Sequence, residues 1–104
     1  MKITSQRNGA SLTLVLEGRL DTSTSPQLSE TLKESLCDQD IKECVLELSG
    51  LVYISSAGLR VLLSLHKQML AAGGTFLLRN VQPGPMDILE MTNFTEFLTI
   101  QKTP

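Results

Sequence analysis

The apolar run Cys44-Val45-Leu46-Glu47-Leu48 leads through residues 49–54 to Ser55-Ser56-Ala57-Gly58, and a helical period begins at once. No other feature limits the fold as strongly. A strand that is apolar at nearly every position is one covered on both faces, as parallel strands are. A long amphipathic stretch directly after it supplies the crossover that a parallel neighbour requires. The strand is expected to end near Leu48 in a short turn, which brings two adjacent serines to the start of a helix. Free backbone N–H groups and the positive end of the helix dipole favour an anion there, and phosphate attached to serine is one such anion.

The helix after the serines is expected from Ala57 to about Ala71. Leu59, Leu62, Leu63, His66, Met69 and Leu70 recur along it at helical spacing, and Gly73-Gly74 stops it. Upstream, residues 2–7 alternate weakly and Asn8-Gly9 marks a hairpin. Leu12, Leu14 and Leu16 then share one phase of a strand over 11–17, which Gly18-Arg19-Leu20-Asp21 closes. Thr22, Ser23, Thr24 and Ser25 all offer helix caps. Pro26 suits the first turn of a helix reaching about Cys37, with Leu28, Leu32 and Leu36 as its stripe. Residues 75–80 read as a strand, Pro83 or Pro85 as the start of a helix ending near Met91, and 97–100 as a short edge strand.

The element order is therefore β-β-α-β-α-β-α-β. It predicts one α/β domain over 1–104: a mixed sheet of four to five strands with helices mainly on one face. In such sheets the functional surface lies where parallel strands turn into helices. The turns 18–24 and 53–58 both leave strands at their C-terminal ends, so they form one surface if those strands are neighbours.

Composition removes several function classes. Apolar residues make up 41% and charged residues 19%, which is the balance of a soluble globular protein. The net charge is -2 with Lys and Arg scattered, so neither a nucleic-acid face nor a lipid-binding basic segment is expected. No run spans a bilayer, and residues 1–7 lack the apolar core of a signal peptide, which points to the cytoplasm and away from membrane insertion. With one histidine, His66, and two cysteines, Cys37 and Cys44, at a spacing that fits no zinc motif, no metal site is expected and both thiols read as core. Met69, Met86 and Met91 also read as core filler. Arg60 lies off the apolar stripe, as either a solvated charge or a partner contact.

A hydrolase would need Gly-x-Ser-x-Gly around its nucleophile, whereas Ile54-Ser55-Ser56-Ala57-Gly58 lacks the first glycine. Its only possible base, His66, lies roughly 15 Å further along the helix by axial rise. An enzyme is not expected. On local pattern alone Ser55 and Ser56 are helix caps, Asp21 is a turn residue, and Gly58 lets the helix approach the sheet closely.

Gly18-Arg19-Leu20-Asp21, residues 45–51, Tyr53-Ile54-Ser55-Ser56-Ala57-Gly58-Leu59-Arg60-Val61-Leu62 and Gly73-Gly74 occur here in an order that resembles STAS domains. The likeness spans the first hairpin to Ile100 and is strongest to stand-alone bacterial anti-sigma factor antagonists. It implies a non-enzymatic protein without cofactors, monomeric when free. Its partner would be an anti-sigma factor that is also a serine kinase of the histidine-kinase-like ATPase fold, holding the ATP and magnesium. Binding would free the sigma factor; phosphorylation would end binding, and a PP2C-type phosphatase would restore it. In the family pattern Asp-Ser-Ser/Thr-Gly the acceptor follows the Asp. Ser56 matches that acceptor, Ser55 stands in the Asp position, Ala57 replaces the second hydroxyl residue and Gly58 is kept. Ser56 is thus the implied phosphorylation site, with Ser55 as the competing position. Asp21 matches an acidic residue expected beside the acceptor, and the implied partner surface comprises Asp21, Thr22, Ser23, Ser55, Ser56, Ala57, Gly58 and Arg60. The alternative is a STAS module that is not phosphorylated, as a transporter subunit or signalling scaffold.

Overall fold

In a computed structural model, which describes residues 1–36 and 41–102, five strands and three helices follow the expected order. The strands are β1 (Lys2–Asn8), β2 (Ser11–Leu20), β3 (Glu43–Ile54), β4 (Thr75–Val81) and β5 (Thr99–Lys102). The helices are α1 (Ser25–Ser35), α2 (Ser56–Ala71) and α3 (Pro83–Met91), with a single 3-10 turn at Phe94–Glu96. The strands lie in the order β1-β2-β3-β4-β5, with β1 antiparallel to β2 and every later pair parallel. Each crossover steps one strand in the same direction. Right-handed connections therefore place all three helices on one face.

That face is the core. Leu12, Leu14, Leu16 and Leu20 of β2 are almost wholly buried, in one cluster with Leu28 and Leu32 of α1, Leu62 and Leu65 of α2, and Leu89 of α3. The opposite phase of β2, Thr13 and Val15, is half-buried, and Glu17 is exposed. No helix of the described residues is long and apolar enough to cross a membrane.

Several boundaries differ from expectation. β3 does not stop near Leu48 but runs on to Ile54. It does so by bulging twice against β2: Val15 pairs with Glu47 but Glu17 with Gly50, and Gly18 pairs with Leu51 but Arg19 with Tyr53. Each bulge adds one residue and shifts the strand's phase. The buried positions accordingly run Leu46, Leu48, Leu51 and Ile54. β2 likewise continues through Gly18 to Leu20. At the hairpin Asn8 pairs with Ser11 inside the ladder, so the loop is Gly9-Ala10 and only Gly9 takes a positive φ, 63°.

On α2 the buried face is Gly58, Leu59, Leu62, Leu65 and Met69. The expected stripe included Leu70, which is 61% exposed, and His66, which is half-buried with its ring 5.2 Å from that of Phe97. The helix ends as expected: the Gly73 and Gly74 N–H groups donate to the carbonyls of Leu70 and Met69, the paired pattern of a Schellman cap. Met69 and Met86 are buried, but Met91, at the last position of α3, is 82% exposed because that helix buries only Pro85, Met86 and Leu89. β5 begins at Thr99 rather than Phe97, since the 3-10 turn takes up the chain before it. Cys44 is a buried free thiol whose pKa burial pushes up to about 12; Cys37 lies outside the described residues.

Candidate functional site: two adjoining strand-to-helix turns

β2 and β3 finish side by side, with Leu20 paired to Ile54. The Ser55 N–H donates to the Leu20 carbonyl at 2.8 Å, so the turn after β3 is tied to the turn after β2. The two expected surfaces are one.

In the first turn Asp21 organises the chain. Its Oδ1 accepts from the N–H groups of Ser23 (3.0 Å) and Thr24 (3.1 Å). Its own N–H donates to Thr24 Oγ1 at 2.8 Å, and that hydroxyl donates to the Arg19 carbonyl at 2.7 Å. Ser25 Oγ and N–H both donate to the Asp21 carbonyl. The Thr24 N–H, the strongest influence, holds the Asp21 carboxyl below its ordinary pKa; desolvation, second in size, opposes it, and the Thr24 hydroxyl, the Ser23 N–H and Arg19 add to the lowering. Asp21 is thus ionised at neutral pH. Of the residues expected as caps, Thr24 takes the N-cap position without a side-chain cap bond, the Thr24 and Ser25 hydroxyls donate back into the turn, and Thr22 and Ser23 present exposed side chains.

The second turn divides its serines. Ser55 is the N-cap of α2, with extended backbone (φ −91°, ψ 173°), and its Oγ accepts from the Gly58 N–H at 3.2 Å. It is half-buried. Ser56, the first helical residue, is exposed, and its hydroxyl forms no hydrogen bond to any described residue. The Gly58 N–H is taken by the cap, which leaves those of Ser56 and Ala57 at the positive end of the dipole. Ala57 is half-buried and Arg60 exposed.

Gly58 is required by packing. A Cβ there would lie 2.8 Å from Leu20 Cγ and 3.1 Å from the Leu20 carbonyl oxygen. The glycine lets α2 descend onto the end of β2, and so sets the distance between the two turns. Asp21 faces Arg19, whose Nε is 4.0 Å from Oδ2, and no hydrogen bond joins Asp21 to Ser55 or Ser56 among the described residues. The expected Asp21–acceptor pair is therefore adjacency of turns and not a direct bond.

Sequence reasoning assigned no role to Arg19 and Tyr53. They are register partners one step before the turns, and the Arg19 guanidinium stacks 4.3 Å above the Tyr53 ring. Val52, 61% exposed, adds an apolar side chain to the same strand end. Aligning Leu20 with Ile54 would have exposed the Arg19–Tyr53 pair, but the bulges conceal that register. Glu47, also without an assigned role, accepts from Asn80 Nδ2 at 3.0 Å, and Asn80 holds a left-handed φ of 55° where β4 bulges.

This architecture, with its paired turns at one sheet end, is an α/β domain to which the STAS domain family model matches over residues 2–104. The chain belongs to the STAS domain family. A candidate anti-sigma factor antagonist of Bordetella bronchiseptica, BtrV, is 31% identical over 100 residues, covering 96% of this chain and 85% of that protein. Among solved structures, a candidate anti-sigma factor antagonist of Thermotoga maritima superimposes with a TM-score of 0.89 at 19% identity, covering 97% of this chain and 86% of that one. The anti-sigma factor antagonist SpoIIAA in unphosphorylated form gives 0.77 at 15% identity, covering 99% and 89%; Bacillus SpoIIAA in phosphorylated form gives 0.75 at 14%, covering 95% and 90%.

Proposed function

We propose that the protein is an anti-sigma factor antagonist that works by partner switching in the cytoplasm. Unphosphorylated, it binds an anti-sigma factor with serine-kinase activity and a histidine-kinase-like ATPase fold, and so releases the sigma factor. Phosphorylation of Ser56 ends that binding, and a PP2C-type phosphatase restores it. The observation that carries the choice of Ser56 is the division of labour at the α2 terminus: the Ser55 hydroxyl caps the helix, and the Ser56 hydroxyl is exposed without a partner among the described residues.

In the transfer, Ser56 Oγ forms a bond to the γ-phosphorus of ATP as the bond to the β-phosphate oxygen breaks. The hydroxyl proton passes to a base of the kinase and ADP leaves; the phosphatase later returns the serine by adding water across the ester. The protein itself does no catalysis. Its contribution is an accessible hydroxyl at a site where a phosphate is tolerated. A charge of about −1.5 to −2 at the first helical residue gains roughly 0.3–1 kcal/mol from the dipole, so the fold persists. The cost falls on the interface, where the phosphate must be desolvated and joins the ionised Asp21 of the neighbouring turn.

The test is incubation with ATP and the candidate kinase, followed by mass-spectrometric mapping. Phosphate on Ser56, lost in Ser56→Ala, with Ser56→Asp releasing the kinase in a pull-down, is the expected result. Labelling elsewhere, or a kinase indifferent to Ser56→Asp, overturns it. Stable binding without any labelling would instead mark a scaffold or transporter module.

A further inference from the structure

Ser56 heads a row on α2, Ser56, Arg60, Ser64 and Gln68, at every fourth residue. Such rows form the ridges of a helix surface. Arg60, Ser64 and Gln68 line one side of a groove of about 310 Å3 between α1 and α2, and Ser29 and Lys33 of α1 line the other. The two helices leave neighbouring strands at the same sheet end, so the groove runs away from the paired turns.

Its charge is one-sided. In a chain of net charge -2, both ionisable side chains lining it are cations, and both are exposed. Glu30 and Glu34 of α1 do not line it. Neither Lys33 nor Arg60 has a carboxylate within ion-pair distance among the described residues. Two cations without a carboxylate partner among the described residues, above a floor of Leu32, Val61 and Leu65, complement an acidic segment that also carries apolar side chains, and electrostatic matching of this kind selects partners and speeds encounter.

We propose that this groove docks an acidic segment of the partner protein, with Lys33 and Arg60 as its counter-charges, and that phosphate on Ser56 draws Arg60 out of it. The inference rests on the phospho-switch reading above and adds the chemistry of the docked segment. Residues four apart on a helix are surface neighbours, with Cβ atoms about 5–6 Å apart. Arginine holds phosphate through paired charged hydrogen bonds, so a phosphate on Ser56 is a competing ligand that never diffuses away. The same phosphate places negative charge at the head of the groove and repels the acidic segment. Capture and repulsion act in one direction. An exposed pair of this kind changes fold stability little, so the effect is read in partner affinity.

Calorimetric titration with the kinase that labels the protein, in the presence of ADP, tests this. Wild type is compared with Lys33→Glu, Arg60→Glu and, on α2 outside the lining, Lys67→Glu, at low and high salt. Circular dichroism melts confirm that each variant is folded. Lys33→Glu and Arg60→Glu are expected to weaken binding at least about tenfold and to flatten its salt dependence, as for removal of a steering charge, with Lys67→Glu unchanged. Phosphorylation of Ser56 is expected to cost Arg60→Gln a smaller fold-loss than it costs wild type. A kinase that binds wild type, Lys33→Glu and Arg60→Glu equally overturns the groove and leaves the phospho-switch standing. A kinase that does not bind wild type overturns both. A concentration-dependent dimer lost in Arg60→Glu overturns the proposal by making a second copy the occupant.

Discussion

The turns after β2 and β3 are built from the same kinds of residue and use them differently. After β2, Asp21, Thr24 and Ser25 spend their side chains on one another's backbone, in a closed network that fixes the entry to α1. After β3 one side-chain bond, from the Gly58 N–H to Ser55 Oγ, caps the helix, and the next hydroxyl is left over. A small polar residue at a helix start is structural when its hydrogen bonds close locally. It is available for chemistry when a neighbour has already done the capping.

Truncating the residue beneath both turns is the most severe way to break this contrast. Leu20 is wholly buried, its carbonyl holds Ser55, and its side chain meets Gly58. Leu20→Ala is expected to cost about 2–5 kcal/mol in chemical denaturation, since the site opens a cavity under α2. Gly58→Ala should follow, at about 1–3 kcal/mol, because the new methyl meets a packed Leu20 rather than a mobile side-chain tip. A melting curve matching wild type would show that α2 can lift without loss.

The serines give the sharpest comparison at smaller magnitude. Ser55→Ala should lose about 1 kcal/mol, as a lost N-cap does, and Ser56→Ala should stay within about 0.5 kcal/mol of wild type, as a surface change does. Equal losses would erase the proposed division. The gentlest effect concerns Asp21, whose folded pKa lies below an unfolded value of about 3.9. A carboxylate of that kind stabilises the fold above its unfolded pKa, and the contribution is lost as pH falls through the folded value. The stability gap between wild type and Asp21→Asn should therefore be steady near neutrality and close below about pH 4. A gap that widens in acid would contradict the assignment.

What could be read from sequence follows from which physics was local. The α2 start was legible to within one residue because serine caps and Gly73-Gly74 act through neighbouring backbone groups. The adjoining of the two turns was legible as a condition on strand order, and the sheet supplied that order. The path of β3 was not legible. Ser49-Gly50 is turn-like chemistry, and the burial steps from Leu48 to Leu51 to Ile54 break the period of two that marks a strand. Only pairing with β2 makes that segment extended, since the ladder with β4 ends at Glu47. The α2 stripe was misphased for a similar reason. With Leu59, Leu62, Leu63, Leu65 and Leu70 all apolar, the helix's own pattern permits several rotations, and contact with β3 and β4 selects the one that buries Leu65.

The two bulges of β3 also carry a rule about length. Each absorbs one extra residue and returns β3 to register with β2, so that Ile54 points inward opposite Leu20 and Tyr53 outward against Arg19. Loss of the extra residue at either bulge would leave a regular ladder with Ile54 still opposite Leu20 and Tyr53 still beside Arg19. The segment can therefore shorten by one or two residues at the bulges without moving Ser55 and Ser56 to the other side of the sheet, a slack in length that no single side chain reveals.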